Sequence, residues 1–466
     1  MSARRAKIVC TIGPATDSRE ALRALVDAGM DVARLNYSHG THEGHAHVAA
    51  LVREASAAAG RPVALLQDLC GPKIRTATVG PARVTSGETI ALRAGDAGDA
   101  GTIAVDYAAV AEELKPGDAI LLGDGRVELR VLGRRGDRLE CHVQHGGELR
   151  AKMGVNLPSG RLRLDALTAK DERDLEHGLA IGVDYVALSF VKSAVDIASL
   201  KARIARLGAV VPVIAKIETP AAVGAIEAIV AASDAVMVAR GDLGVELPPE
   251  TVPVLQKRII EACRTERRPV IVATEMLQSM VAAPRPTRAE ASDVAGAVFD
   301  GADAVMLSAE TATGQYPELA CQMMDRIVRE AEASRFHAPV VEAPSAGTPD
   351  AIAYAACRVA REIGARVVVA LTQNGGTARL VSAARPLTPV IGVSPDPRTL
   401  RRLCLYWGIS PRFFDVATDI DDLVRRTRAL LVGAGLVASG ERYVIVYGAP
   451  LGESGSTNAL RVEEVP

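Results

Sequence analysis

"VPVIAKIETP", residues 211–220, reads as a buried β-strand that ends on two charges. Val211, Val213 and Ile214 are β-branched and apolar, as a core strand requires. Lys216 and Glu218 then stand two residues apart. Alternation puts their side chains on one face, where burying an ammonium and a carboxylate is costly. The pair is either an internal salt bridge or part of a site, and at this point both readings stay open.

The same design recurs along the chain. "KIVCTIGP" from Lys7, "DVARLNYSHG" from Asp31, "PVALLQDL" from Pro62 and "DYVALSFVK" from Asp184 are apolar runs that end in polar residues. "DAVMVARGD" from Asp234, "PVIVATEM" from Pro269 and "DAVMLSAET" from Asp303 continue the series. Amphipathic stretches such as "REALRALVDAGM" and "TVPVLQKRIIEACR" lie between most of them. Strand and helix in alternation imply parallel strands with right-handed crossovers. About eight such units predict a closed (β/α)₈ barrel, with reactive groups at the C-terminal strand ends. The competing architecture is an open doubly wound sheet. The strand ends carry Arg34, Asn36 and Ser38; Asp68; Lys192; Lys216 and Glu218; Arg240 and Asp242; Thr274 and Glu275; Ser308 and Glu310.

One interval breaks the rhythm. From about Gly71 to about Ser159, alternating apolar residues and Gly/Asp turns predict an all-β insertion. Set into the top of a barrel, it would lie over the active face as a lid. After about Ala346, "PDAIAYAACRVAREIG", "ARVVVALTQ", "TPVIGVSP", "DPRTLRRLCLYWG", "DIDDLVRRTRALLVGAGL" and "RYVIVYGAP" predict a small α/β domain behind the linker "HAPVVEAPSAGTP". The expected domains are 1–70 with 160–345, 71–159, and 346–466.

Composition narrows the function classes. The chain has 466 residues, 48 % hydrophobic and 24 % charged, which suits a folded globular chain of two or three domains. A formal net charge of -2 and 3 % aromatics argue against nucleic acid as the main partner. Seven cysteines without a C-x-x-C pair read as reduced thiols. No run approaches the ~20 apolar residues of a membrane helix, and the N-terminal stretch lacks the apolar core of a signal peptide. A cytoplasmic location, with no membrane and no nucleic acid, is expected.

The charges also form a chemical set. Glu218 and Asp242 end neighbouring strands, and two hard carboxylates suit Mg²⁺ or Mn²⁺. Lys216 beside them would be a fixed positive charge for a phosphoryl group in transfer. "ARGDLG" offers successive backbone N–H groups to a carboxylate or phosphate. Arg34, Asn36 and Ser38 share one strand face. The four histidines of "SHGTHEGHAH" lack a metal-ligand spacing, and Thr41 reads as the N-cap of a helix. Trp407 reads as packing.

"KIVCTIGP", "ARLNYSHGTHE", "GPKIR", "AKIE", "MVARGDLG", "RPTRAEASDVAGAVFDGADAVMLSAETATGQYP" (285–317) and "GSTNALRV" together resemble the pyruvate kinase family, in order along nearly the whole chain. The resemblance implies a (β/α)₈ barrel, a β-barrel lid after the third strand and a C-terminal α/β regulatory domain. It implies glycolytic phosphoryl transfer from phosphoenolpyruvate to ADP, giving pyruvate and ATP. Lys216 would stabilise the phosphoryl in flight, and Glu218 and Asp242 would hold Mg²⁺ or Mn²⁺. Gly241, Asp242 and Thr274 would bind the substrate carboxylate, with Thr274 also on the proton path, and Arg34 would touch the phosphate. Asn36, Tyr37, Ser38, His39 and Arg75 would lie along the nucleotide. A homotetramer is expected, with a phosphorylated effector at Thr372, Asn374 and Thr377.

Two departures from the family pattern stand out. Met153 replaces a lysine that contacts ATP in many relatives, and Lys152 beside it would face the other way in a strand. Lys73 replaces a glutamate found in relatives that bind K⁺ through counterparts of Asn36, Ser38, Asp68 and the Leu69 carbonyl. Two like charges about 4 Å apart repel by roughly 4 kcal/mol at a dielectric near 20. Lys73 is therefore expected to fill that pocket and remove the K⁺ requirement, unless it is only a solvated hinge residue. A barrel lyase or aldolase acting on pyruvate enolate would share Glu218 and Asp242 but has no use for the lid or Arg75. A non-enzymatic binding protein would have no reason to keep Lys216, Glu218, Asp242 and Thr274. ADP-dependent pyruvate formation separates the three.

Overall fold

The computed structural model describes residues 4–77, 80–158, 164–337, 347–451 and 455–466. Eight parallel strands close into a barrel: Lys7–Ile12, Val32–Asn36, Ala64–Asp68, Tyr185–Leu188, Val213–Ile217, Ala235–Ala239, Val270–Ala273 and Ala304–Leu307. The first pairs with the last, Lys7 opposite Ala304. Each coincides with a run read from the sequence. The intervening helices start where the chain supplies caps. Ser18 and Thr41 accept from backbone N–H groups of the first turn, and Thr168/Asp171 and Thr287/Glu290 form capping boxes.

Strand phase decides what reaches the mouth. Val9, Val32, Leu66, Ala187 and Ile214 belong to one buried cluster inside the barrel. Their alternates, such as Ile8, Ala33, Leu65, Val186 and Val213, pack outward with helix residues such as Leu22 and Leu200. Two residues further along the inward phase stand Thr11, Arg34, Asp68, Ser189 and Lys216, with Glu218 one step beyond. The opposite end is closed by the C-terminal domain. Cys404 and Leu405 join the interior cluster, Lys7 Nζ donates to the Ile409 carbonyl at 2.7 Å, and the Tyr185 hydroxyl donates to the Arg402 carbonyl at 2.6 Å.

The insertion is a seven-stranded sheet with its own core, in the order Ile74–Arg75, Gly154–Asn156, Ala119–Leu122, Val127–Arg135, Arg138–His145, Thr89–Ala94, Thr102–Val105. Its edges meet through a Thr76–Val105 bridge and an Ala77 N–H to Ala104 carbonyl bond of 2.9 Å, so the sheet curls on itself as a barrel does. It is mostly rather than wholly β, because Val110–Glu113 forms one helical turn.

The C-terminal domain has a five-stranded sheet, ordered Ile409–Phe413, Val390–Ser394, Val367–Leu371, Arg442–Gly448, Thr457–Glu464, the last antiparallel. The sequence reading found three of these strands. It passed over Ile409–Phe413, helix Gly376–Ala383 and Thr457–Glu464. Most of the expected linker, 338–346, and the expected boundaries at 159/160 and 345/346 lie outside the described residues. Among the described residues no helix is long and apolar enough to cross a membrane.

Candidate active site

The pair that opened the question is real. Lys216 Nζ lies 3.3 Å from Glu218 Oε2 and 3.4 Å from Asp68 Oδ1, and donates to Ser189 Oγ at 2.6 Å. Asp68 Oδ2 takes Arg34 Nε and Nη2, each at 2.7 Å, and Arg34 Nη1 donates to Thr11 Oγ1 at 2.9 Å. Four barrel strands and the loop after a fifth thus meet in one network of two cations and two carboxylates. Burial works against charge on Lys216, but Asp68, Glu218 and Asp242 outweigh it and hold the ammonium above its ordinary pKa. Burial likewise works against Asp68, and Lys216 and Arg34 overcome it, so this carboxylate stays below the usual range.

Glu218 behaves differently. It is 0 % exposed. Oε1 accepts the Phe190 N–H at 2.6 Å, while Oε2 accepts no hydrogen bond. Burial raises its carboxyl, Lys216 opposes, Asp242 adds to the rise, and the result is about 7. A buried carboxylate oxygen without a donor, repelled by a second carboxylate, is an incomplete arrangement. A hard divalent cation completes it, with further ligands from substrate and water. Glu218 and Asp242 therefore fit a divalent ion.

The neighbouring strand ends build a cavity of about 630 Å³. Gly241, Asp242, Thr274 and Glu275 line it from the barrel, and Asp124 reaches it from the lid. Thr274 and Glu275 hold φ of 75° and 56°, strained for residues with side chains. Arg240 fixes this bend. Its guanidinium donates to the Ala273 and Thr274 carbonyls at 3.2 and 2.8 Å, and is held by both Asp293 oxygens at 2.7 Å. A Cβ on Gly241 would stand 2.7 Å from Thr274 Cγ2, so only glycine allows this approach.

Some expected residues are placed otherwise. Tyr37 is 3 % exposed, and its N–H, carbonyl and hydroxyl each bond within the protein. Its N–H donates to the Asp68 carbonyl at 3.0 Å, its carbonyl accepts Lys170 Nζ at 2.7 Å, and its hydroxyl bonds His177 Nδ1 at 2.9 Å. It stacks on His45 and props the Asn36–His39 segment from below. The clustered histidines serve this support too, with His42 on Asp174 at 2.8 Å and stacked on His177. Asn36 Oδ1 accepts the Ser38 N–H at 3.1 Å, turning the chain at the strand end. His39 is held below its ordinary pKa by burial and by the charges of Arg75, Lys73, Arg34 and Lys170.

Lys73 is the residue expected at the monovalent-ion pocket. Among the described residues it has no hydrogen bond or ion pair with Asn36, Ser38, Asp68 or the Leu69 carbonyl, which instead accepts Ser189 Oγ at 2.7 Å. The pairing of Ile74–Arg75 with Gly154 and Val155 fixes its backbone, and its Cε lies 3.4 Å from where a Gly154 Cβ would be. Met153 packs against the lid core, while Lys152 is exposed at φ 56° and its carbonyl accepts Arg75 Nη1 at 3.3 Å. Lys192 leaves the mouth for the Leu164 carbonyl at 2.7 Å, and Glu310 is buried on the Leu277 and Ser308 N–H groups. Sequence reasoning missed Thr11, Ser189 and Asp293. The inward phase of their strands would have found the first two, whereas no local signal marks Asp293 on a distant helix.

In the C-terminal domain, Thr372, Asn374, Thr377 and Arg379 line a cavity of about 330 Å³. Thr372 Oγ1 accepts the Gly375 N–H at 3.0 Å, Thr377 bonds Thr457 at 2.7 Å, and Arg379 donates to the Arg267 carbonyl at 2.9 Å.

A cation-lined barrel mouth, two carboxylates fit for a divalent ion and a lid above them define a metal-dependent phosphotransferase. Family models agree on which one. "Pyruvate kinase, barrel domain" matches residues 3–321 and "Pyruvate kinase, alpha/beta domain" matches 350–463. A pyruvate kinase of Agrobacterium vitis is 46 % identical over 99 % of this chain and 97 % of its own. One from Mycobacterium tuberculosis is 43 % identical over 99 % and 98 %. A crystal structure of a pyruvate kinase from Cryptosporidium parvum superposes with TM-score 0.93 at 33 % identity, covering 99 % of this chain and 96 % of that one. The chain belongs to the pyruvate kinase family. It is a phosphotransferase of glycolysis that takes phosphoenolpyruvate and ADP to pyruvate and ATP, with a divalent-metal requirement.

Proposed function

We propose the following division of labour among the residues of the site. Lys216 stabilises the phosphoryl group as the bond to the enolate oxygen breaks and the bond to the β-phosphate oxygen of ADP forms. The ammonium is held by Ser189, Asp68 and Glu218, so its charge is in place before the reaction and needs no reorganisation. Arg34, steered by Asp68 and Thr11, orients the substrate phosphate. The backbone at Gly241 and Asp242 and the Thr274 hydroxyl receive the substrate carboxylate, and Thr274 stands on the path by which the enolate gains its proton. Asn36, Ser38, His39 and Arg75 lie along the nucleotide. Glu218 and Asp242 hold the divalent ion, Mg²⁺ or Mn²⁺. Such an ion, when bound, neutralises the charge that builds on enolate and phosphoryl oxygens.

The observation that carries this reading is the buried, unbonded Glu218 Oε2 beside Lys216. The test is Glu218→Gln and Asp242→Asn in a coupled assay of ADP-dependent pyruvate formation. Each should lose most activity at ordinary Mg²⁺, and near-normal turnover by either would sink the assignment.

K⁺ is not required on this reading. Asp68 is already compensated by Arg34 and Lys216, and the Lys73 charge acts on His39, next to Ser38. A further positive ion there would meet three fixed cations. A cytoplasmic homotetramer, with a phosphorylated metabolite bound in the cavity at Thr372–Thr377, completes the proposal; its support is that cavity and the family's habit.

A further inference from the structure

We propose that Glu246 and Asn156 are positioning residues, whose hydrogen bond fixes the lid strand beside Arg75 to the helix that carries Asp242. Asn156 ends the lid strand Gly154–Asn156, is 8 % exposed, and donates from Nδ2 to Glu246 Oε1 at 2.9 Å. Gly154, two residues back, pairs with Arg75 across the antiparallel ladder. On the barrel side, Glu246 closes the helix Arg240–Glu246, four residues after Asp242 and one turn along the same face. One bond thus joins the arm assigned to the nucleotide to the turn assigned to the metal and substrate carboxylate.

The surrounding seam gives the bond unusual weight. A cavity of about 60 Å³ opens beside it, lined by Ile74, Val155 and Leu157 from the lid and by Phe190 and Pro220 from the barrel. The cavity leaves part of the apolar seam between lid and barrel unpacked beside this bond. The entry to the lid is a bend at Gly71, φ 68°, where a Cβ would stand 2.8 Å from the Phe190 ring. The Gly71 N–H donates to Asp171 Oδ1 at 3.2 Å, which anchors the entry of the lid to the barrel at one point; the Asn156–Glu246 bond adds a second polar anchor, and two anchors fix an orientation that one does not. Phosphoryl transfer needs the two substrates aligned to within about an ångström, and the bond supplies that alignment without touching either of them.

This inference rests on the roles proposed above for Arg75 and Asp242. Its test is a double-mutant cycle in the full-length chain: Glu246→Ala, Asn156→Ala, both together, and Glu246→Gln. Steady-state kinetics in ADP, Mn²⁺ binding, and hydrogen exchange at 74–76 and 154–156 are measured on each. Each single alanine should lower kcat/KM for ADP about tenfold, speed exchange at both lid segments, and leave Mn²⁺ affinity unchanged. The double variant should be no worse than either single one. Glu246→Gln, which still accepts from Asn156, should recover to within about twofold. Additive losses, no rescue by glutamine, or a fall in Mn²⁺ affinity would overturn the inference. Failure of the underlying roles has a different signature, since Asp242→Asn would then leave Mn²⁺ affinity intact whatever the cycle gives.

Discussion

Lowering the pH should weaken the divalent-metal site through one group, Glu218. Its carboxyl sits at about 7 because burial and Asp242 outweigh the help of Lys216. The unfolded chain would hold it near about 4.3. Because the folded value is raised, the metal-free protein keeps this group's stability contribution below about pH 4.3 and loses it as pH rises through about 7. The gap corresponds to roughly 4 kcal/mol against the folded, metal-free state above neutrality. A divalent ion binds only the carboxylate. The apparent affinity should therefore be near its limit at about pH 8 and fall about tenfold by about pH 6, in proportion to the ionised fraction. Mn²⁺ is the convenient probe, with the free ion followed by electron paramagnetic resonance. Calorimetry in buffers of different ionisation enthalpy should find about half a proton released per ion at about pH 7 and nearly one at about pH 6. Glu218→Gln should flatten the residual pH dependence. An affinity that moves less than about twofold between about pH 8 and about pH 6, with no proton release, would refute the assignment of Glu218 as a ligand with a raised pKa.

Other consequences are equally direct. In K⁺-free tetramethylammonium buffer turnover should be near full, and Lys73→Glu should create a K⁺ dependence; a rise of about tenfold on adding KCl to the parent, beyond that with matched NaCl, would show a filled ion site instead. Gly241→Ala should raise KM for phosphoenolpyruvate by about tenfold or more, because its Cβ would meet Thr274 Cγ2 at 2.7 Å; unchanged KM would mean that the turn yields freely. Tyr37→Phe should cost about 1 kcal/mol in denaturant unfolding by stranding its bond to His177, with a smaller effect on KM for ADP, whereas a large KM effect alone would make Tyr37 a direct nucleotide contact. Sedimentation should find a tetramer, and Thr377→Val should blunt activation by a phosphorylated metabolite; a monomer, or an unchanged response to phosphoenolpyruvate, would contradict that part.

Periodicity made the barrel legible, because a parallel strand buried on both faces is a short apolar run with a polar end, and eight such runs sit between amphipathic helices. The site was legible where one strand carries its own chemistry, as with Lys216 and Glu218, and where strand phase aims a residue inward, as with Arg34 and Asp68. Contacts between distant segments were not. Nothing near Arg240 in the chain announces that Asp293 will hold it, and nothing near Lys73 says that Gly154 will take its stem. Tyr37 looked available because its neighbours Asn36 and Ser38 belong to the mouth, yet alternation turns it the other way, into a histidine cluster. The C-terminal strand Ile409–Phe413, "ISPRF", carries a proline and ends on two exposed residues, so its edge position hid it from hydrophobic patterning.

The most direct measurement is Lys216→Met followed through both halves of the reaction. Circular dichroism and Mn²⁺ binding first establish that the variant is folded and loaded, since Asp68 and Glu218 lose their shared cation. Removing a fixed charge worth several kcal/mol should cut ADP-dependent pyruvate formation by about a thousandfold. Metal-dependent exchange of the pyruvate methyl protons with solvent, which needs the ion and a proton donor but no phosphoryl transfer, should persist within about tenfold of the parent. Loss of both activities together in a folded, metal-binding variant, or survival of phosphoryl transfer, would contradict the role given to Lys216.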